Sequence, residues 1–302
     1  MKYIYNYLVV FFIIIALSST LKAQPVTRTV TDQMGRKVTF LNNPRRLVAL
    51  APSITEVIFA LKQEDRLKGV TRFSDFPAQA ANLPKVGSYV HLDLEKIVAL
   101  KPDLCIAIKD GNPKEVIDRL ESLNIPVYAV NPRNLEAVME TMLEIGGLLN
   151  ADKKANFLVQ GMRSRVQLVQ SLVAKTDHRP RVFFQIGISP IVSVGTQTFI
   201  HELIVLAGGQ NFLESKTPYP RLSKEQVIAL SPEIIIITSM ARGEIFERVK
   251  KQWQSWPNLP AVRNQRIFLV DSNLFDRPTP RIVDGLELLG RLIHPKLFKE
   301  TE

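Results

Sequence analysis

The stretch Tyr89-Val-His-Leu-Asp-Leu-Glu95-Lys-Ile-Val-Ala-Leu-Lys-Pro102-Asp-Leu-Cys-Ile106 returns 130 positions later, without a gap, as Tyr219-Pro-Arg-Leu-Ser-Lys-Glu225-Gln-Val-Ile-Ala-Leu-Ser-Pro232-Glu-Ile-Ile-Ile236. Seven of the eighteen pairs are identical, and four more exchange one branched aliphatic for another or Asp for Glu. Each copy reads as a loop aromatic, an N-cap (Asp93, Ser223), a short helix, a Pro break and a buried strand. A unit that occurs twice, about half a chain length apart, predicts two lobes of similar build.

Working outward, Thr27 to Phe40 alternate on both sides of Gly35, the pattern of a β-hairpin. Arg46–Leu50 reads as a buried strand that breaks at Ala51-Pro52-Ser53, with a helix from Thr55 to Leu61. A strand at Lys68–Thr71, helices over 113–123 and 134–149 and a strand at 127–130 complete a β/α alternation, which indicates a parallel, doubly wound sheet. From Asp152 to Lys175 the pattern changes. Apolar residues fall at Ala155, Leu158, Val159, Met162, Val166, Val169, Leu172 and Val173, one face of a long helix of about 36 Å. After Pro180 strands and helices alternate again. The expected organisation is a leader over 1–23, a lobe over 24–150, a connecting helix over 151–176 and a second lobe over 177–302. The fold class is α/β, two doubly wound lobes joined by one long rigid α-helix.

The composition is that of a globular protein, 46% apolar and 23% charged. Met1–Ala23 reads as an export signal: Lys2, an apolar run from Leu8 to Leu17, then small residues before a cut after Ala23. An uncleaved anchor is the other reading of the same stretch. No Cys stands near the cut, which excludes a lipid anchor there. The one cysteine, Cys105, lies in a strand, so no intrachain disulfide can form. The formal charge of +10 is dispersed along the chain, which favours a solvated basic surface over a nucleic-acid partner.

Two α/β lobes on one rod leave a cleft, and ligands of open α/β sheets bind at the carboxyl ends of strands. The loops expected there, including Ala51–Ser53, carry the aromatics Phe73, Phe76, Tyr89, Tyr219 and Phe275. Tyr89 and Tyr219 hold equivalent places in the two copies. Either they face each other across the cleft, suited to a large flat ligand, or they pack their own loops. Glu95 and Glu225 also correspond. They serve as helix-end acids, or as one exposed carboxylate per lobe for docking a cationic partner. Arg277 has two readings as well, a polar ligand contact or an ion pair with Asp276. No nucleophile elbow, phosphate loop or His-Glu-x-x-His motif occurs, and the four histidines are scattered. His91 alone sits in a cleft loop.

The hairpin with Asp32 and Gly35, Arg46-Leu-Val-Ala-Leu-Ala-Pro-Ser-Ile-Thr-Glu56, Leu94-Glu95-x-Ile97-Val-Ala-Leu-Lys-Pro-Asp103, Ala207-Gly-Gly-x-Asn211, Pro220-x-x-Ser223-x-Glu225 and Pro280-Arg281 together resemble the substrate-binding proteins of metal-chelate ABC importers. That family carries cobalamin, haem and ferric siderophores on two lobes with a helical backbone. The match runs from about Val26 to Pro295. Gly69-Val-Thr-Arg-Phe73-Ser-Asp-Phe-Pro77, Phe184-Gln-Ile-Gly187-Ile-Ser-Pro190 and Asn273-Leu-Phe-Asp-Arg277-Pro-Thr-Pro-Arg281 are most similar to its cobalamin-carrying members. The resemblance implies that Ser53, Phe73, Tyr89, Ile186, Tyr219, Asn273, Leu274, Phe275, Asp276 and Arg277 line the ligand site. It also implies that Glu95 and Glu225 dock onto the importer's membrane subunits. Phe73 stands where those members have Tyr, Tyr89 and Tyr219 where they have Trp, Asn273 and Leu274 where they have Asp and Trp, and Ile186 where they have Phe.

The expectation is a monomeric periplasmic receptor for a cobalamin-like corrinoid, with no catalytic residues, no resident cofactor or metal and no nucleic-acid partner. A haem or ferric-siderophore receptor is the alternative within the family. A periplasmic metal-dependent hydrolase is the alternative outside it.

Overall fold

The computed structural model describes residues 26–238 and 244–298; the expected export signal lies outside the described residues. The hairpin pairs β1 (Thr27–Thr31) with β2 (Lys37–Leu41) antiparallel. Its turn uses Gly35 at φ +76°, a left-handed conformation that costs a glycine little. The carboxylate of Asp32 holds the turn by accepting from the amides of Met34 and Arg36.

The first sheet comprises β3 (Leu47–Ala49), β4 (Leu67–Val70), β5 (Leu104–Ile108) and β6 (Val127–Val130) in the order β4-β3-β5-β6, all parallel. The helices α1 (Pro52–Ala60), α2 (Leu94–Ala99) and α3 (Lys114–Ser122) fill the crossovers, and α4 (Leu135–Leu148) follows the last strand. Strands covered on both faces read as unbroken apolar runs, which is why β5 is Leu-Cys-Ile-Ala-Ile. Cys105 is fully buried there, and desolvation pushes its thiol well above the usual range. Helix α1 begins three residues earlier than its apolar pattern predicts. Pro52 occupies the first turn, where its missing N–H has no intrahelical acceptor to lose, so Ser53 is helical and buried rather than in a loop.

Helix α5 (Asp152–Val173) has 22 residues, about 33 Å at 1.5 Å per residue. Its buried face is Ala155, Val159, Met162, Val169, Leu172 and Val173, with Leu158 and Val166 partly buried beside it. Gly161, the weak point of the pattern, faces open space. At one end α5 lies so close to α4 that a Cβ on Gly146 would stand 2.4 Å from that of Ala155.

The second sheet is built from β7 (Arg181–Gly187), β8 (Ile191–Ser193), β9 (Gln210–Asn211), β10 (Arg221–Leu222), β11 (Ile234–Ile237) and β12 (Ile267–Leu269), with α6 (Phe199–Leu206), α7 (Lys224–Ala229), α8 (Glu244–Gln254), α9 (Pro260–Arg263) and α10 (Ile282–Ile293) around it. β7, β11, β12 and β9 are parallel, as expected. β8 runs antiparallel to β7, because the chain folds back at Ser189-Pro190 instead of crossing over, and β10 pairs antiparallel with β8 at that edge. The repeat is respected throughout. β5 lies between β3 and β6, and its counterpart β11 lies between β7 and β12. One apolar cluster runs from the hairpin and the first sheet through α5 to β7, β11 and α10, while smaller clusters cover the outer face of each sheet. Each large side chain enclosed in them is worth roughly 1.5–3 kcal/mol.

Candidate functional site

The loops leaving the carboxyl ends of both sheets meet between the halves. In the first half a buried hydroxyl network fixes them. Thr55 donates to Ser74 Oγ at 2.9 Å, and Thr71 and Ser74 share a bond at 3.0 Å, which seats the 71–76 loop on α1. With its backbone pinned, that loop presents Phe73 and Phe76 outward, each more than two-fifths exposed. The Tyr89 ring stands edge-on to Phe73, with centroids 6.3 Å apart. On its other side it lies over Gly111 (φ +125°), where an added Cβ would come within 2.5 Å of Tyr89 Cδ2. Asn112 ties three loops together. Its amide donates to Leu50 O and Tyr89 O, both at 2.8 Å, and its oxygen accepts from Ile108 N at 2.8 Å.

From the second half Tyr219 comes forward, 50% exposed. Partial desolvation raises its phenol, helped by the charges of Asp276 and Asp110 and opposed by Arg133. Asp110 and Arg133 belong to the first half and pair with each other at 2.6 Å. Tyr219 therefore stands within electrostatic reach of the 109–112 loop on which Tyr89 rests.

The 271–277 segment enters the gap beside Tyr219. Asp271 caps a single turn, Ser272–Leu274, by accepting from Asn273 N at 3.0 Å. Asn273 and Leu274 are part-buried, and Ile186 packs on the core nearby. Phe275 departs from expectation. It is fully buried, edge-on to Phe184 with centroids 5.3 Å apart, and its side chain anchors the segment from beneath rather than facing a ligand. The neighbouring Asp276 is exposed, but the protein packed around it partly desolvates its carboxyl and pushes it up to about 6. Arg277 has partners from the other half. It donates to Asp75 Oδ1 at 2.9 Å, to Glu56 Oε1 at 3.3 Å and to the carbonyl of Phe73 at 3.1 Å. The ion pair weighed for it with Asp276 is replaced by this bridge.

Arg281 completes the bridge, with its guanidinium bound to Glu56 and stacked 3.7 Å above the Phe76 ring. Sequence reading missed Glu56 as a partner, along with Asp110, Asn112 and Arg133. The last three lie just past the ends of β5 and β6, where strand-end position alone is the signal.

Glu95 and Glu225 are exposed in the first turns of α2 and α7. Asp93 caps α2 by accepting from Lys96 N, and a capping box of Ser223 and Gln226 starts α7. The Glu225 carboxyl is held below its ordinary range by its own amide and the Ser223 hydroxyl. His91 is exposed in its loop. His201 lies beside Asn211 Nδ2 and His294 beside Gly208 O, each structural and each pushed down by burial. Among the described residues no three His, Cys, Asp or Glu side chains gather to hold a metal, and no helix is long and apolar enough to cross a membrane.

A vitamin B12-binding protein of Vibrio parahaemolyticus is 31% identical over 252 residues, covering 82% of this chain and 90% of the relative. The crystal structure of the periplasmic vitamin B12-binding protein BtuF of Vibrio cholerae superposes with a TM-score of 0.73 at 29% identity, over 83% of this chain and 96% of that one. A periplasmic haem-binding protein from Pseudomonas aeruginosa gives a TM-score of 0.76 at 27% identity, over 84% and 94%. These are substrate-binding proteins, not enzymes, and what they carry is a transported ligand rather than a cofactor. Residues 47–274, the part of the chain that holds both sheets, match the periplasmic binding protein family described as Peripla_BP_2, and the chain belongs to it.

Proposed function

We propose that this substrate-binding protein takes a cobalamin-like corrinoid into the gap between its lobes and delivers it to an ABC importer. One observation carries the reading. Phe73 and Tyr219 leave large aromatic surface uncovered on opposite sides of the gap, and Tyr89 lies against Phe73. A broad, flat chelate with apolar faces and polar edges covers such surface, and aromatic side chains contribute 150 Å² or more each when buried. The similarity to vitamin B12-binding proteins over most of the chain supports the same ligand class.

On this reading the exported chain loses residues 1–23 and works as a periplasmic monomer, with lobes over 24–150 and 177–302 on a backbone helix over 151–176. Ile186, Asn273, Leu274 and Asp276 complete the walls, with Ser53 buried behind them at the start of α1. Arg277 contributes by fixing the Phe73 loop against the second lobe. Glu95 and Glu225, one per lobe and free to meet solvent, dock onto cationic sites of the membrane subunits.

Calorimetric titration of the purified protein with cyanocobalamin, haemin and a ferric siderophore in parallel tests the ligand. Heat at micromolar concentrations with cyanocobalamin alone is the expected result. Heat with haemin alone moves the protein to the haem carriers, a reading supported by the Pseudomonas aeruginosa likeness.

A further inference from the structure

Past Tyr219 the gap widens into a hollow of about 520 Å³ that neither lobe encloses alone. Arg133 and Asn134, between β6 and α4, line one side; Gln197, His201, Glu202 and Pro218 line the other. Pro218 is the residue before Tyr219, and the Tyr219 phenol is within electrostatic reach of Arg133, so the hollow continues the gap.

The charged groups around it are already engaged. Arg133 pairs with Asp110 at 2.6 Å. Glu202 reaches across the lobes and accepts from Leu135 N at 2.7 Å, at the start of α4. His201 has Nδ1 beside Asn211 Nδ2 at 3.2 Å, and partial burial pushes its ring's pKa down. The lining itself therefore carries one carboxylate, Glu202, and one guanidinium, Arg133, which Asp110 already neutralises from outside it. Two carboxamides remain. Asn134 caps α4 through Oδ1, which accepts from Ala137 N at 2.8 Å, but its Nδ2 has no protein partner among the described residues. Neither does the exposed amide of Gln197 from the other lobe.

We propose that this hollow is a polar subsite that accepts a neutral, carboxamide-bearing arm of the bound chelate and rejects a carboxylate arm, with Asn134 and Gln197 as its specificity-determining residues. A carboxamide donates and accepts at once, so it satisfies Asn and Gln side chains on both sides of a narrow space. A carboxylate only accepts, and it meets Glu202 with the lining's one guanidinium, Arg133, already paired. The inference rests on the corrinoid reading, since corrinoids carry peripheral carboxamides whereas haem carries carboxylates.

The test compares cyanocobalamin with the monocarboxylic acids made by hydrolysing one of its peripheral amides. Wild-type protein is expected to prefer the intact amide roughly tenfold, equivalent to one lost hydrogen-bonded contact of about 1.4 kcal/mol. The double variant Asn134→Ser, Gln197→Ala keeps a capping hydroxyl on α4. It is expected to melt like wild type and to lose most of that preference. Gln197→Arg is expected to turn the preference towards the carboxylate. Equal affinity for the two ligands in wild type, or an unchanged preference in both variants, overturns the subsite and leaves the corrinoid reading standing. Failure of wild type to bind any corrinoid overturns both.

Discussion

The Arg281 guanidinium grips both oxygens of Glu56, Nε to Oε2 and Nη2 to Oε1, each at 2.8 Å, although 225 residues separate the two in sequence. The Glu56 side chain is only 2% exposed, and Arg277 approaches the same carboxylate at 3.3 Å. A buried ion pair contributes modestly against its desolvation cost, but removing one partner strands the other. Glu56→Gln is therefore expected to destabilise the protein by about 3 kcal/mol. For a chain of this size that lowers the melting temperature by roughly 6–12 °C. Calorimetric melts of variant and wild type check it, and a shift below about 2 °C counts against the bridge.

Phe275 and Tyr219 are expected to fail in opposite ways. Phe275→Ala empties a packed site under the ligand segment and should cost about 3–5 kcal/mol of stability in urea denaturation. Tyr219→Ala removes a half-exposed ring, so its denaturation curve should stay within about 1 kcal/mol of wild type. Its loss should appear in ligand titration instead, as a weakening of roughly tenfold or more.

Asp276 makes stability depend on pH with a definite sign. Its carboxyl titrates at about 6 in the folded protein, above the ordinary carboxylate value, so the folded state binds the proton more readily than the unfolded chain. Stability through this group falls as pH rises from about 4 to 6 and stays lowered above that. Asp276→Asn should raise the melting temperature at pH 7.5, and the advantage should shrink towards nothing as pH falls to about 4. An advantage that is constant across that range would rule out the assigned titration.

Asn112→Ala removes the one donor that serves Leu50 O and Tyr89 O together. Leaving such carbonyls unpaired costs about 1–3 kcal/mol each where they are buried. The Tyr89 loop should loosen, visible as faster amide exchange over residues 88–92 and a lower affinity for ligand.

Glu95 and Glu225 stand exposed on separate helices, so the double change to Ala should leave the stability within about 1 kcal/mol of wild type and spare ligand binding. Association with the importer's membrane subunits, followed by pull-down or surface resonance, should be lost. Retained association would remove both residues from the docking role.

The repeat around Tyr89 and Tyr219 made the two sheets legible because helix caps and strand ends leave local signatures: Asp93, Ser223, Pro102 and Pro232 each act on their immediate neighbours. The face of α5 was equally plain, since a 3.6-residue period persists over 22 residues. Three features were not legible. Arg277 reads as a ligand contact or a partner of Asp276 until Glu56 and Asp75 are brought from the other lobe, a contact no local rule encodes. Phe275 sits in a row of ligand-facing candidates, and only the three-dimensional turn at Ser272–Leu274 points its ring down to Phe184. The antiparallel β8 and β10 are two or three residues long, too short for an alternating pattern to show.

Helix α5 is fastened on both flanks, by the Gly146–Ala155 contact with α4 and by Arg165, which holds Glu287 and Asp284 of α10 at 2.6–2.7 Å. A spindle held at both bearings resists swinging, so on the proposed reading the jaws act as a fixed gauge for the thickness of what enters, and release calls for an outside force that parts them.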